Sequence, residues 1–118
     1  MASQLLIDLY QCNPDIIDNA EQIKSIAHRV IREIDSDIVE ECFHKFEPIG
    51  ITYVAVITKS HFSIHTWPEY GYAAVDIFSC DEQLPDILSS KLQKAFGAGV
   101  HKVRSFERDI EGRGINGV

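Results

Sequence analysis

The chain has 118 residues, of which 45% are hydrophobic and 25% charged, and its net charge is −7 at neutral pH. This length suits one hydrophobic core, so we expect a single domain over residues 1–118. The acidic charge is spread along the chain, which argues against a nucleic-acid partner. No apolar run approaches the roughly 20 residues that span a bilayer, and no secretory leader is evident, so we expect no membrane contact and a cytoplasmic location.

The first half of the chain changes twice between strand and helix patterns. Residues 3–11 are predicted as a strand. Asn13 followed by Pro14 is typical of a helix start, because asparagine caps the first turn and proline presets its backbone. Apolar residues then recur every three or four positions, which predicts one amphipathic helix to about residue 34.

Strand patterns dominate the middle of the chain. Residues 37–46 alternate, which predicts a strand with four side chains on one face, Ile38, Glu40, Cys42 and His44. Residues 51–58 are rich in β-branched side chains and predict a buried central strand. Residues 61–67 and 72–80 are predicted as an antiparallel hairpin around a turn at 68–71.

A helix and a strand are predicted to complete the fold. The helix runs from about Pro85 to Phe96 and is expected to bury one side, formed by Leu84, Ile87, Leu88, Leu92 and Ala95. Residues 100–107 are predicted as the last strand and the tail as irregular.

The element order β-α-β-β-β-β-α-β predicts an α+β two-layer sandwich, an antiparallel-rich sheet with two helices on one face. The other face is left for a second copy, which predicts a homodimer. The cysteines form no CxxC pair, and Cys12 and Cys42 are predicted as buried free thiols.

Rare residue types are concentrated between Ser60 and Cys80, in SHFSIHTWPEYGYAAVDIFSC. This stretch resembles the core of the small bacterial and archaeal S-adenosylmethionine decarboxylases, self-cleaving enzymes that carry a covalent pyruvoyl group. The matching residues are Ser60-His61, Ile64-His65-Thr66-Trp67-Pro68-Glu69, Gly71-Tyr72-Ala73 and Cys80. The resemblance implies the α+β architecture already predicted, with active sites at the contact between two protomers.

Amino-acid decarboxylation leaves an electron pair on Cα, and no side chain supplies the electron sink that it needs. Pyridoxal phosphate would require a phosphate cradle, and no Gly-rich phosphate loop stands out. A pyruvoyl group is the alternative, and the resemblance places its parent serine at Ser60. The hydroxyl of Ser60 would attack the carbonyl of Lys59, and the chain would be cut into residues 1–59 and 60–118. The new keto group would then form a Schiff base with the substrate amine.

The resemblance also implies roles for other side chains. His65 would act in processing and remain near the substrate, although strand alternation places Ser60 and His65 on opposite faces. Cys80 would return a proton to Cα after carbon dioxide leaves. Thr52 stands where the family usually has a serine that assists processing. Three residues match positions of nucleoside recognition: Phe46, Trp67 and Glu69.

Other interpretations remain open at this point. His61 and His65 share a strand face and could pair on zinc, but no spacing predicts a third ligand, so no metal is predicted. Lys59 replaces the glutamate that usually precedes the cleaved serine. The function that the resemblance implies is decarboxylation of S-adenosylmethionine to give the aminopropyl donor for polyamine synthesis. The alternatives are a pyruvoyl-dependent arginine or ornithine decarboxylase, and a non-enzymatic paralogue whose processing Lys59 blocks.

Overall fold

A computed structural model describes residues 1–80, 84 and 87–113. Six strands form one sheet in the order β2-β3-β4-β5-β1-β6, and every neighbouring pair is antiparallel. The strands are β1 Ala2–Tyr10, β2 Ile38–Lys45, β3 Ile51–Ile57, β4 Ser60–Trp67, β5 Tyr72–Ser79 and β6 Val100–Arg108. The helices are α1 Pro14–Ile17, α2 Ala20–Glu33 and α3 Leu88–Ala95, and a short 3₁₀ turn spans Pro68–Tyr70.

The helices cover one face of the sheet, and the core lies between them and the central strands. Side chains alternate along a strand, so every second residue of β3, β4 and β5 enters this core. Fully buried examples are Tyr53, Phe62, Ile64, Val75 and Ile77. The predicted α+β sandwich is therefore confirmed. Among the described residues, no helix is long and apolar enough to cross a membrane.

No helix of the described residues lies on the other face of the sheet, which is called the uncovered face below. Its central part includes Val54 and Val56 of β3, which are 38% and 50% exposed. β3 lies inside the sheet, so these apolar side chains are not at an edge. They are exposed since no other part of the described chain packs above them.

The single helix predicted over residues 14–34 is wrong, because the segment breaks after Ile17. Asn13 caps α1 as expected, but Asn19 caps a second helix by accepting a hydrogen bond from the N–H of Gln22. Asp18 leaves the helical path and accepts a hydrogen bond from the N–H of Gly50 at 2.9 Å. The sheet therefore carries three helices in the described chain rather than two.

Strand β2 departs from the predicted alternation at its start. A bulge lies between Ile38, which is opposite Ile57, and Glu40, which is opposite Val56. The extra residue turns Ile38 toward the core and away from the face of Cys42.

The two cysteines that were predicted as buried thiols differ in the structure. Cys42 is exposed on edge strand β2, so the prediction of a buried thiol is wrong for it. Cys12 is buried, and desolvation raises the pKa of its thiol to about 11.

Helix α3 begins at Leu88 within the described chain, and its predicted start at Pro85 lies outside the described residues. Leu88 and Leu92 are buried as expected. Ile87 is 55% exposed, so its predicted place in the core is wrong. It precedes the first helical turn and does not share the buried face. The end of the predicted irregular tail, residues 114–118, also lies outside the described residues.

A carboxylate on β2 links the edge of the sheet to its core. Glu41 accepts a hydrogen bond from the hydroxyl of buried Tyr53 at 2.6 Å and shares one with His28 at 2.8 Å. These two bonds hold the pKa of the Glu41 carboxyl below its usual value. A carboxyl with a lowered pKa in the folded state stabilises the fold above its unfolded pKa of about 4.3, and this contribution is lost as the pH falls.

Glu41→Gln should therefore be less stable than wild type at pH 7 and should approach wild type in acid. The difference in the free energy of unfolding should be about 1 kcal/mol or less, since the side chain is partly exposed and water screens it. Urea unfolding at pH 7 and pH 3 measures this difference. Glu40→Gln on the neighbouring residue is the control for loss of one charge. An equal difference between Glu41→Gln and wild type at both pH values would contradict a lowered pKa of the Glu41 carboxyl in the folded state.

Candidate active site

Strands β3 and β4 are joined by a turn of two residues, Thr58 and Lys59, and Ser60 is the first residue of β4. Ser60 has a φ angle of 151°, which residues with a side chain rarely adopt. Two-residue hairpin turns usually have positive φ inside the turn, which fits the twist of the strands. Here neither Thr58 nor Lys59 has positive φ, and the unusual angle falls on Ser60. Backbone strain thus lies at the serine that the sequence singles out.

The carbonyl before Ser60 has a hydrogen-bond donor. The N–H of Cys80 donates to the carbonyl oxygen of Lys59 at 2.8 Å. This contact follows from the antiparallel register of β4 and β5, in which Ser60 lies opposite Ser79. Lys59, just before Ser60, is therefore adjacent to Cys80, just after Ser79. A fixed N–H in this place stabilises negative charge on the oxygen when the carbonyl carbon is attacked. The sequence pointed only to the thiol of Cys80, which is exposed, and missed its backbone.

Thr52 and His65 form a second pair on neighbouring strands. They lie directly opposite each other on β3 and β4, and Oγ1 of Thr52 shares a hydrogen bond with Nδ1 of His65 at 3.0 Å. Both side chains are partly buried on the uncovered face. The hydroxyl orients the imidazole and occupies its Nδ1, so Nε2 is left for proton transfer.

An aromatic row extends from His65 across three strands. Ring centroids are 6.3 Å apart for His65 and Trp67, 5.4 Å for Trp67 and Tyr72, and 5.3 Å for Tyr72 and Tyr10. The Tyr72 hydroxyl donates to Asp8 at 2.5 Å, and burial together with this bond raises the pKa of Tyr72. Sequence reasoning gave Tyr10 and Tyr72 no role in the site, although their outward positions on predicted strands were a usable signal.

Phe46 and Glu69 lie at the same end of the sheet as His65, on the turns that follow β2 and β4. Phe46 is 47% exposed, and its ring packs edge-to-face with that of His44, with the ring centroids 4.4 Å apart. Glu69 is exposed in the 3₁₀ turn, and Trp67 just before it is 40% exposed. A ring this exposed does not serve core packing, so these residues form an open surface of flat rings and one carboxylate.

The predicted site residues thus fall into two groups. The first, Lys59, Ser60 and Cys80, is called the cleavage end, and the second, Phe46, Thr52, His65, Trp67 and Glu69, is called the aromatic end. Ser60 and His65 are five residues apart on one strand, which corresponds to about 16 Å. One chain alone therefore does not bring the two groups together.

The histidines His61 and His65 share the uncovered face of β4, four residues apart. His61 is exposed and its ring lies 5.6 Å from that of Phe78. Among the residues that the structure describes, no group of three or more histidine, cysteine or acidic side chains could hold a metal ion.

A family model, individual relatives and a solved structure all relate this chain to S-adenosylmethionine decarboxylases. The family model described as S-adenosylmethionine decarboxylase matches residues 3–109. An S-adenosylmethionine decarboxylase proenzyme of Thermodesulfovibrio yellowstonii is 40% identical over 111 residues, which is 93% of this chain and 82% of that protein. A proenzyme of the same name from Pseudomonas aeruginosa is 39% identical over 113 residues, 95% of this chain and 71% of that protein. The crystal structure of the adenosylmethionine decarboxylase from Aquifex aeolicus superposes with a TM-score of 0.78 at 28% identity, covering 93% of this chain and 92% of that one.

Proposed function

Because this chain belongs to the S-adenosylmethionine decarboxylase family, we propose that it cleaves itself before Ser60 and then decarboxylates S-adenosylmethionine in the cytoplasm. The product of that reaction is an aminopropyl donor for polyamine synthesis. The observation that carries the proposal is the pairing of a strained Ser60 with a Lys59 carbonyl that already accepts the Cys80 N–H. The domain 1–118 is the precursor in this proposal.

Self-cleavage proceeds in steps whose atoms are all in the chain or in water. The Ser60 hydroxyl oxygen bonds to the carbonyl carbon of Lys59, the C–N bond breaks, and the hydroxyl proton ends on the freed nitrogen. A base then removes the Cα proton of Ser60, and the Cβ–O bond breaks to release the Lys59 carboxylate. The remaining dehydroalanine takes up water and loses ammonia, which leaves a pyruvoyl group at the start of the second fragment.

The cleavage end fits this chemistry. Strain at Ser60 raises the energy of the intact peptide bond and not that of the ester, in which the serine is no longer held between two peptide units. The Cys80 N–H stabilises the oxyanion that forms on Lys59. Once formed, the pyruvoyl group supplies the electron sink that decarboxylation needs. Cys80, whose backbone N–H meets the Lys59 carbonyl and whose thiol is exposed, is the proposed donor of the proton that Cα receives.

Cleavage also needs a base, and His65 is the candidate because Thr52 orients it. Since His65 lies about 16 Å from Ser60 of its own chain, we propose that it acts on a second protomer. Two copies that face each other through their uncovered faces, in opposite directions, place each aromatic end against the other copy's cleavage end. Regular alternation would point the Ser60 side chain to the opposite face, so the proposal also requires that the irregular backbone at Ser60 turns its hydroxyl toward the partner. A symmetric homodimer then has two complete sites, each built from both chains.

The aromatic end suits a nucleoside better than a short diamino acid. Trp67 and Phe46 are exposed rings on which an adenine stacks, and aromatic faces attract a sulfonium cation. Glu69 accepts hydrogen bonds from a ribose diol, although it also pairs with an ammonium or guanidinium group. The arginine or ornithine alternative would leave the rings unused.

The first test concerns cleavage. Purified wild type should consist of two fragments, residues 1–59 and 60–118, and the second should carry the mass of a pyruvoyl terminus. Ser60→Ala should remain one full-length chain, because it lacks the attacking oxygen. Ser63→Ala is the matched control on the same strand and should cleave. Intact mass spectrometry reads all three, and an uncut wild type would favour the non-enzymatic paralogue.

The second test concerns the shared site. Ser60→Ala and His65→Ala should each be inactive alone, but co-expression should restore about a quarter of wild-type turnover. Half of the randomly assembled dimers are mixed, and each mixed dimer has one complete site of two. Ser60→Ala with Cys80→Ala is the control: both changes lie at the cleavage end, so this pair should regain little. Equal recovery in both pairs, or none in the first, would contradict a site built from two chains.

The third test concerns the substrate. Trp67→Ala should lower kcat/KM for S-adenosylmethionine by about 5- to 160-fold, as expected for loss of roughly 1–3 kcal/mol of stacking. Tyr70→Ala is the control, since Tyr70 lies on the same turn outside the aromatic row and is 79% exposed. Release of carbon dioxide from arginine or ornithine, with none from S-adenosylmethionine, would replace the proposed substrate.

A further inference from the structure

The turn before Ser60 is tied to the C-terminal end of α2 by the side chain of Lys59. Its Nζ donates a hydrogen bond to the carbonyl oxygen of Ile34, the residue that caps α2, at 2.6 Å. Carbonyls at a helix C-terminus carry partial negative charge, so an ammonium group is favoured there. The backbone N–H of Lys59 also donates to Oγ of Ser36 at 3.2 Å.

The neighbouring turn residue is fastened to the same segment. Oγ1 of Thr58 shares a hydrogen bond at 2.9 Å with Ser36, whose side chain is buried, and the Thr58 N–H donates to the carbonyl of Asp37 at 2.9 Å. Both residues of the turn are therefore attached to the chain that leaves α2. We call this set of contacts the helix latch: Ile34, Ser36, Asp37, Thr58 and Lys59.

We propose that Lys59 is a positioning residue for self-cleavage, holding the turn so that Ser60 keeps its strained conformation. This inference rests on the proposed function. β4 is paired on both sides, so Ser60 is fixed from its C-terminal side. The latch fixes the turn from its N-terminal side. With both sides held, the φ angle of 151° at Ser60 cannot relax, and the Lys59 carbonyl stays on the Cys80 N–H.

The residue type matters for this role. The family that the chain resembles usually has glutamate before the cleaved serine. A carboxylate has no donor for the Ile34 carbonyl and is disfavoured by the negative end of α2. Under this proposal Lys59 assists processing rather than blocking it. It supplies a contact that glutamate in the same place could not make.

Cleavage kinetics of newly made chains test the proposal. Wild type, Lys59→Met, Lys59→Arg and Ser36→Ala are synthesised in a cell-free translation system, and the fraction cut is followed with time on a denaturing gel. Lys59→Met keeps an unbranched side chain one atom shorter but removes the donor, and its cleavage half-time should be about 10-fold longer or more. Lys59→Arg keeps a cationic donor and should restore a half-time near that of wild type. Ser36→Ala leaves Lys59 itself unchanged but removes the hydroxyl that bonds both turn residues, so it should also slow cleavage.

The matched control is Lys91→Met. Lys91 pairs with Glu33 in the last turn of α2 at 3.3 Å, so this variant removes a cation from the same helix end without touching the turn. It should cleave at the wild-type rate. Thermal midpoints of all variants separate loss of stability from loss of positioning.

Three results would overturn the role of Lys59: equal half-times for Lys59→Met and wild type, failure of Lys59→Arg to restore the rate, or equal slowing by Lys91→Met. None of these three results would contradict self-cleavage itself. If wild type produces no fragments in the same time course, the proposed function fails and the role of Lys59 fails with it.

Discussion

The antiparallel register of β3, β4 and β5 is the constraint on which the rest of the site depends. β4 is the middle of these three strands, and its partners are fixed over its whole length. At one end the register sets the Cys80 N–H against the Lys59 carbonyl, and at the other it sets Thr52 against His65. A shift by one residue would exchange the two faces of the strand and would remove both pairs. The core side chains Phe62 and Ile64, fully buried on β4, make such a shift costly.

The two faces of the sheet have different roles: one forms the hydrophobic core, and the other carries the aromatic end. The helix-covered face supplies hydrophobic stability through α2 and the central strands. The uncovered face carries the polar and aromatic groups of the aromatic end, together with exposed valines at its centre. Under the proposed function this face meets a second protomer, and the chemistry becomes complete only there. Such an arrangement couples activity to assembly, since a single chain holds the serine and the base about 16 Å apart.

Strain at Ser60 persists because rigid neighbours surround it. An unusual φ at a residue with a side chain costs on the order of 1–3 kcal/mol, and an unsupported turn would relax. Here two strands hold one side and the end of α2 holds the other. The contact of Lys59 with the end of α2 changes how this residue is interpreted. In the sequence it is a departure from the usual glutamate, whereas in the fold it contacts the end of a helix.

The sequence by itself determined the α+β architecture and the six strands, because strand alternation and helical periodicity are local patterns. It also pointed to the residues of the candidate site, because the run from Ser60 to Cys80 is distinctive. It did not determine the break at Asp18, whose carboxylate is drawn to Gly50 from a distant turn, or the bulge that redirects Ile38. It also did not show the donor on the Lys59 carbonyl, the Thr52 contact with His65, or the aromatic row through Tyr72 and Tyr10. Each of these joins residues that are far apart in the chain. Only the tertiary structure decided them, since pairing between strands brings together groups whose meeting no local pattern encodes.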